Sequence, residues 1–121
     1  MTESQLLTET ARFNMIEQQI RTARVLDPVV LKLLAVVRRE DFVPIAFRDL
    51  AFADMEIPLG ADGQAGQAML SPCLEARMLQ ELAIRNTDTV LEVGAGSGFM
   101  PAVLAAKAEF VYTSEIDPRL A

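Results

Sequence analysis

Apolar side chains recur near helical spacing from residue 4 to about 23, at Leu6, Phe13, Ile16 and Ile20. That period predicts an amphipathic helix with Ser4 as its N-cap. The stretch LDPVVLKLLAVVRRE predicts a second helix, with Asp27 as N-cap and Pro28 at the first helical position. Arg38 and Arg39 would stand in its last turn, where a cation suits the negative end of the helix dipole. Pro44 opens a short third helix through Leu50. From residue 55 to 72 the period is lost among three Gly and two Pro, which predicts a long irregular loop of the kind that carries function. A fourth helix begins near Ser71 and Pro72 and runs to about Ile84, with Leu74, Met78, Leu79 and Leu82 along one face. TVLEV then predicts a strand, FMPAVLAAKA a helix and FVYTSE a second strand. At IDPRLA, Asp117 and Pro118 read as the cap and first position of one more helix.

The predicted organisation is therefore α/β: an N-terminal helical segment (1–54), an irregular loop (55–71), and the first βαβ unit of a doubly wound Rossmann-like sheet (72–121). A parallel sheet is normally several strands wide and covered on both faces, so the chain is expected to be the N-terminal part of a larger domain. The strand at 90–93 is apolar and lacks a predicted neighbour on one edge. Self-association by strand exchange, or else disorder of the last segment, is expected from that edge.

Composition narrows the classes. The chain has 121 residues, 51% hydrophobic and 23% charged, which suits one globular domain rather than a disordered tail. Its net charge is −6, and Arg38-Arg39 is followed at once by Glu40-Asp41, so no basic face exists for nucleic acid. MTESQLLTET lacks the basic and apolar regions of a signal peptide, and no apolar run approaches the ~20 residues of a membrane span. A cytoplasmic protein is expected. The lone Cys73, in a chain without histidine, reads as a small core residue rather than an activated thiol. No metal-ligand pattern is present.

The segment EVGAGSG places Glu92, Gly94, Gly96, Ser97 and Gly98 at the turn from strand to helix. Glycine there lets a ligand approach the main chain, and the following helix offers free N–H groups. The third glycine comes one residue early for a dinucleotide fingerprint, and no Gly-Lys follows as a phosphate-binding Walker loop needs. A nucleoside without a phosphate chain remains. Glu115, at the end of the second predicted strand, can accept hydrogen bonds from both ribose hydroxyls, and Glu92 favours an ammonium group. A ribose, an ammonium and a cationic centre together describe S-adenosylmethionine. The simpler alternative is a βα turn that needs glycine for purely structural reasons.

From about Met15 onward the chain resembles the N-terminal half of the protein-L-isoaspartate O-methyltransferase family. The resemblance rests on MIEQQIRTARVLDPVVL, on Phe-Val-Pro at 42 to 44, and on the Ala-aromatic-x-Asp element at 51 to 54. IPLG, VLEVGAGSGFMPAVLA and VYTSEIDPRLA follow in the family's order. It implies a doubly wound α/β fold, cofactor contacts from the glycine loop and Glu115, and methyl transfer to the carboxylate of L-isoaspartyl residues in damaged proteins. The chain departs from the family at AMLSP: aligned on Pro72, the family's threonine becomes Ala68 and its active-site serine becomes Leu70. Ser71, one place late, is then either a stand-in for the catalytic serine or a helix cap. A different methyl acceptor, and a non-catalytic interaction module, stay open as alternatives.

Overall fold

The computed structural model describes residues 2–59 and 68–115. Helix α1 (Glu3–Met15) starts at Thr2 rather than Ser4. The Thr2 hydroxyl accepts from the Gln5 N–H at 3.1 Å and the Gln5 side chain accepts from the Thr2 N–H at 2.8 Å, a reciprocal capping box. The helix does not continue evenly to residue 23. It widens into a π turn at Ile16–Ile20 and tightens to a 3-10 turn at Arg21–Ala23, ending at a left-handed Arg24. The inward face consequently runs through Arg12, Met15, Ile16 and Ile20, while Leu6 and Phe13, expected inside, are more than half exposed. The cause is electrostatic as well as apolar: the buried Arg12 guanidinium grips Glu40 through two bonds of 2.7 and 2.6 Å.

Helix α2 (Pro28–Val36) begins as expected, the Asp27 carboxylate accepting from the Val29 N–H at 2.9 Å. It ends at Val36, four residues short of Glu40. Val37 is extended, and the chain turns so that Arg39 enters the interior instead of capping the dipole. Two 3-10 turns follow, Arg39–Phe42 and Ile45–Leu50. The region expected to be wholly irregular carries a short antiparallel ladder, β1 (Ile57–Pro58) against β2 (Ala68–Met69). It seals Ile57 and Met69 into the core.

Helix α3 (Pro72–Leu82) turns Pro72, Glu75, Ala76 and Leu79 inward. This reverses the expected face: of the four apolar residues assigned to it only Leu79 is buried, and Leu74, Met78 and Leu82 are exposed. The βαβ unit stands as read. Strand β3 (Thr89–Val93) leads through α4 (Phe99–Lys107) to β4 (Phe110–Ser114), parallel to β3 from Thr89 opposite Phe110 to Val93 opposite Ser114. Phe99, Val103 and Leu104 seat α4 on a core shared with Ile20, Val25, Leu34 and Leu79. Burying each such side chain stabilises by about 1.5–3 kcal/mol relative to exposure. On the pleat's other side Leu91, Val93, Phe110 and Tyr112 are exposed. The helix start read at Asp117 and Pro118, and the final segment as a whole, lie outside the described residues.

Candidate functional site

The parallel ladder delivers the ends of β3 and β4 side by side, and the glycine loop springs from that edge. The Gly94 and Ala95 N–H groups both donate to the Ser114 carbonyl, at 2.7 and 3.1 Å, so the loop is anchored on the neighbouring strand. Gly94 and Gly98 lie at φ +86° and +90°, where a side chain brings strain. A Cβ at Gly94 would meet none of the described atoms within 4 Å, so the main chain there faces open space. At Gly98 a Cβ would lie 3.7 Å from the Phe42 ring, which underlies the loop and meets Phe99 edge-on at 5.8 Å.

The six residues assigned to a cofactor converge. Glu115 accepts from the Gly96 N–H at 2.8 Å, which sets its carboxylate against the loop. The Thr113 hydroxyl donates to Glu92 at 3.0 Å, and the Ser97 hydroxyl receives the Phe99 N–H at 3.4 Å, at the entry to α4. Two clefts flank the loop and share Ala95, Gly96 and Ser97. One, about 470 Å³, is bordered by Pro101, Thr113, Ser114 and Glu115. The other, about 210 Å³, is bordered by Ala68, Leu70, Glu75, Met78, Glu92 and Gly94.

Both carboxyls of the second cleft titrate above the ordinary range. Glu92 is raised by burial and by the nearby Glu115, against the Thr113 hydrogen bond. Glu75 is raised by burial and by Glu92, against the attraction of Arg39. The walls therefore favour a cationic guest, which relieves carboxylates held in a poorly solvated place.

Ser71 stands elsewhere. It occupies the N-cap position of α3, yet its side chain makes no capping hydrogen bond among the described residues. Leu70, its neighbour, borders the second cleft. Cys73 is half-buried and donates to the Gln19 carbonyl at 3.3 Å, and its thiol is pushed up to about 11 by burial and by Asp54. That is the inert core cysteine expected from the sequence.

Two residues escaped sequence reading. Arg39 has the local setting of a helix-end cation, and Glu75 stands between the apolar Leu74 and Met78. Their signal was joint: Pro72, Glu75, Ala76 and Leu79 follow a helical stripe that contains one carboxylate, and such a stripe asks for a buried cation.

The family model for protein-L-isoaspartate (D-aspartate) O-methyltransferase matches residues 10–113. The chain belongs to this family. A curated member from Anaeromyxobacter sp. (strain Fw109-5), protein-L-isoaspartate O-methyltransferase 2, is 43% identical over 93% of the chain and 44% of its own length. The Methylorubrum populi protein-L-isoaspartate O-methyltransferase is 38% identical over 95% of the chain and 52% of its own length. The chain thus spans about half the length of the curated relatives it matches. Among solved structures, a Plasmodium falciparum protein crystallised under the same family name, in complex with S-adenosyl-L-homocysteine, superposes with a TM-score of 0.71. It is 17% identical, with 93% of this chain and 50% of that chain covered, so it speaks to the fold alone. The methyltransferase-like fold is that of the family, with the partial Rossmann-like sheet the βαβ pattern implied.

Proposed function

We propose that the intact protein is an S-adenosylmethionine-dependent methyltransferase acting on the carboxylate of L-isoaspartyl residues in damaged proteins or peptides. The single observation that carries the reading is the Glu115 carboxylate held by the Gly96 N–H at the edge of an exposed glycine loop. Family membership and the relatives' shared name support the acceptor.

The residues present fit the cofactor. Bare main chain at Gly94 admits a nucleoside, Glu115 lies against the Gly96 N–H where a ribose would meet it, and Glu92 lies across the loop for an ammonium or sulfonium. Gly98 caps α4 with its N–H donating to the Ala95 carbonyl at 3.0 Å, and the Ser97 hydroxyl receives the Phe99 N–H. These residues shape the loop rather than offer it free donors. S-adenosylmethionine, when bound, supplies an activated methyl group. An isoaspartyl carboxylate is ionised at pH 7 and needs no strong base to attack that methyl. The protein's task is to orient acceptor and donor and to exclude water. Ser71, whose hydroxyl is not spent on capping α3, is the candidate catalytic side chain.

Ala68 and Leu70 border the cleft where the family places hydroxyls, which favours a different acceptor as a second reading. Methyl transfer from labelled cofactor to an isoaspartyl peptide, run beside a small-molecule acceptor panel, tests both. Transfer to the peptide supports the first reading, and bound cofactor with transfer only to other acceptors supports the second. No helix among the described residues is long and apolar enough to cross a membrane. A cytoplasmic location without a nucleic-acid partner is part of the same proposal, and the net charge of −6 favours the latter. The 121-residue chain on its own is proposed to be inactive and to self-associate through the exposed Leu91, Val93, Phe110 and Tyr112 face. Light scattering that shows an ordered monomer overturns the association.

A further inference from the structure

Arg39 is 2% exposed and touches four separate pieces of the chain. Its Nε donates to the Ala51 carbonyl at 2.8 Å, and its Nη2 donates to the Leu70 carbonyl at 2.9 Å. Its Nη1 pairs with Glu75, and its guanidinium lies over the Phe99 ring at 4.9 Å. A buried ion pair is seldom the most stabilising filling for a core, since apolar residues of similar volume serve as well or better. A rigid fork that holds two main-chain oxygens and a carboxylate at once is a device for geometry.

We infer that Arg39 is a positioning residue for the methyl-transfer reaction, tethering the substrate-side segment 68–71, through the Leu70 carbonyl, to the first residue of α4 behind the cofactor loop. The inference rests on the proposed methyltransferase reading. Leu70 and Glu75 line the cleft beside Glu92 and Gly94, so the guanidinium fixes two parts of its wall from behind. Phe99 is independently held: it is 1% exposed and braced by Phe42. The glycine loop therefore keeps its shape when Arg39 is changed, whereas the Leu70 carbonyl, with its neighbour Ser71, loses its tether. Lysine reaches one partner as a point charge and cannot span the others in one plane.

The test uses the intact natural protein and R39K. Amide exchange at Met69, Leu70 and Ser71 rises by about tenfold or more, while Gly96 and Phe99 change by less than about threefold. S-adenosylhomocysteine affinity stays within about threefold, and kcat/KM for an isoaspartyl peptide falls by about 30-fold or more at temperatures well below unfolding. Unchanged exchange at 69–71 overturns the inference, as does cofactor affinity falling by the same factor as kcat/KM, the mark of a merely structural residue. Should R39K not fold, R39Q, which keeps a hydrogen-bond donor and leaves the cleft wall itself unchanged, decides on the same readouts. Wild-type protein that neither binds the homocysteine nor methylates overturns the functional reading and this inference with it. Wild-type protein that binds but methylates nothing overturns only the acceptor, and exchange at 69–71 still judges the tether.

Discussion

Substituting Arg12 by Met removes the cation that fastens α1 to the 3-10 turn at Arg39–Phe42. The guanidinium side chain is 3% exposed and its partner Glu40 is 8% exposed, with two contacts of 2.7 and 2.6 Å. R12M strands that carboxylate, and breaking one side of a buried pair costs about 3–5 kcal/mol. The lower end applies here, because Arg38 remains at 3.8 Å from Glu40 on an exposed side chain. The Glu9 contact at 2.9 Å is 44% exposed on the carboxylate side and adds little. A loss of about 3 kcal/mol corresponds to roughly 12 °C in Tm for a domain of this size. The pH dependence gives a second check. In the wild type, burial is the largest single influence and would raise Glu40, but the Arg12 hydrogen bonds and charge, a backbone hydrogen bond and Arg38 together outweigh it and hold the carboxyl below its ordinary value. Its contribution is thus fully present above the unfolded value near 4.5 and lost as pH falls through the lower folded value. In R12M burial prevails, the carboxyl rises, and acid protonates it at little cost. The difference between wild type and variant is therefore largest at pH 7 and shrinks toward pH 4. Chemical and thermal unfolding of both proteins across that range is the assay, with R12M/E40L as the control that regains most of the loss. A deficit under about 1 kcal/mol at pH 7, or one that grows on acidification, refutes the reasoning.

G98A is expected to destabilise by about 1–2 kcal/mol through its left-handed backbone alone, since its Cβ finds ordinary contact at 3.7 Å from Phe42; differential scanning calorimetry reads the change. The Cys73 thiol, pushed up to about 11, should alkylate on the order of 100-fold more slowly at pH 7.5 than a free cysteine, as timed mass spectrometry will report. D27A should cost about 1 kcal/mol by freeing the Val29 N–H at the start of α2, measured by urea unfolding.

What could be read from the chain was what local chemistry decides. Asp27-Pro28 carries its own helix start, and the order of apolar run, glycine turn and helix former around Val90, Gly94 and Phe99 announces a strand, a turn and a helix before their partners are known. The cofactor-side residues came together for that reason: the parallel pairing of β3 and β4 alone brings Glu115 to Gly96. What escaped is set by partners far away in sequence. Arg12 and Glu75 sit on inward faces that apolar periodicity counts as polar, and each is carried inside by a charge on the adjoining residues 39 and 40. The π turn at Ile16–Ile20 shifts the buried stripe away from Phe13, a change that no fixed period anticipates. The pairing of Ile57 with Met69 likewise joins residues separated by a glycine-rich segment with no alternation to announce it.

The central claim is that the exposed main chain after Val93 holds an adenosyl group whose sugar meets Glu115. Titrating the intact, isotopically labelled protein with S-adenosylhomocysteine tests it most directly. The amide resonances of Gly94, Gly96 and Gly98 should move together to saturation, and E115A should weaken binding by about tenfold or more. Saturation that leaves those three amides in place, or an E115A variant that binds as tightly as the wild type, contradicts the account.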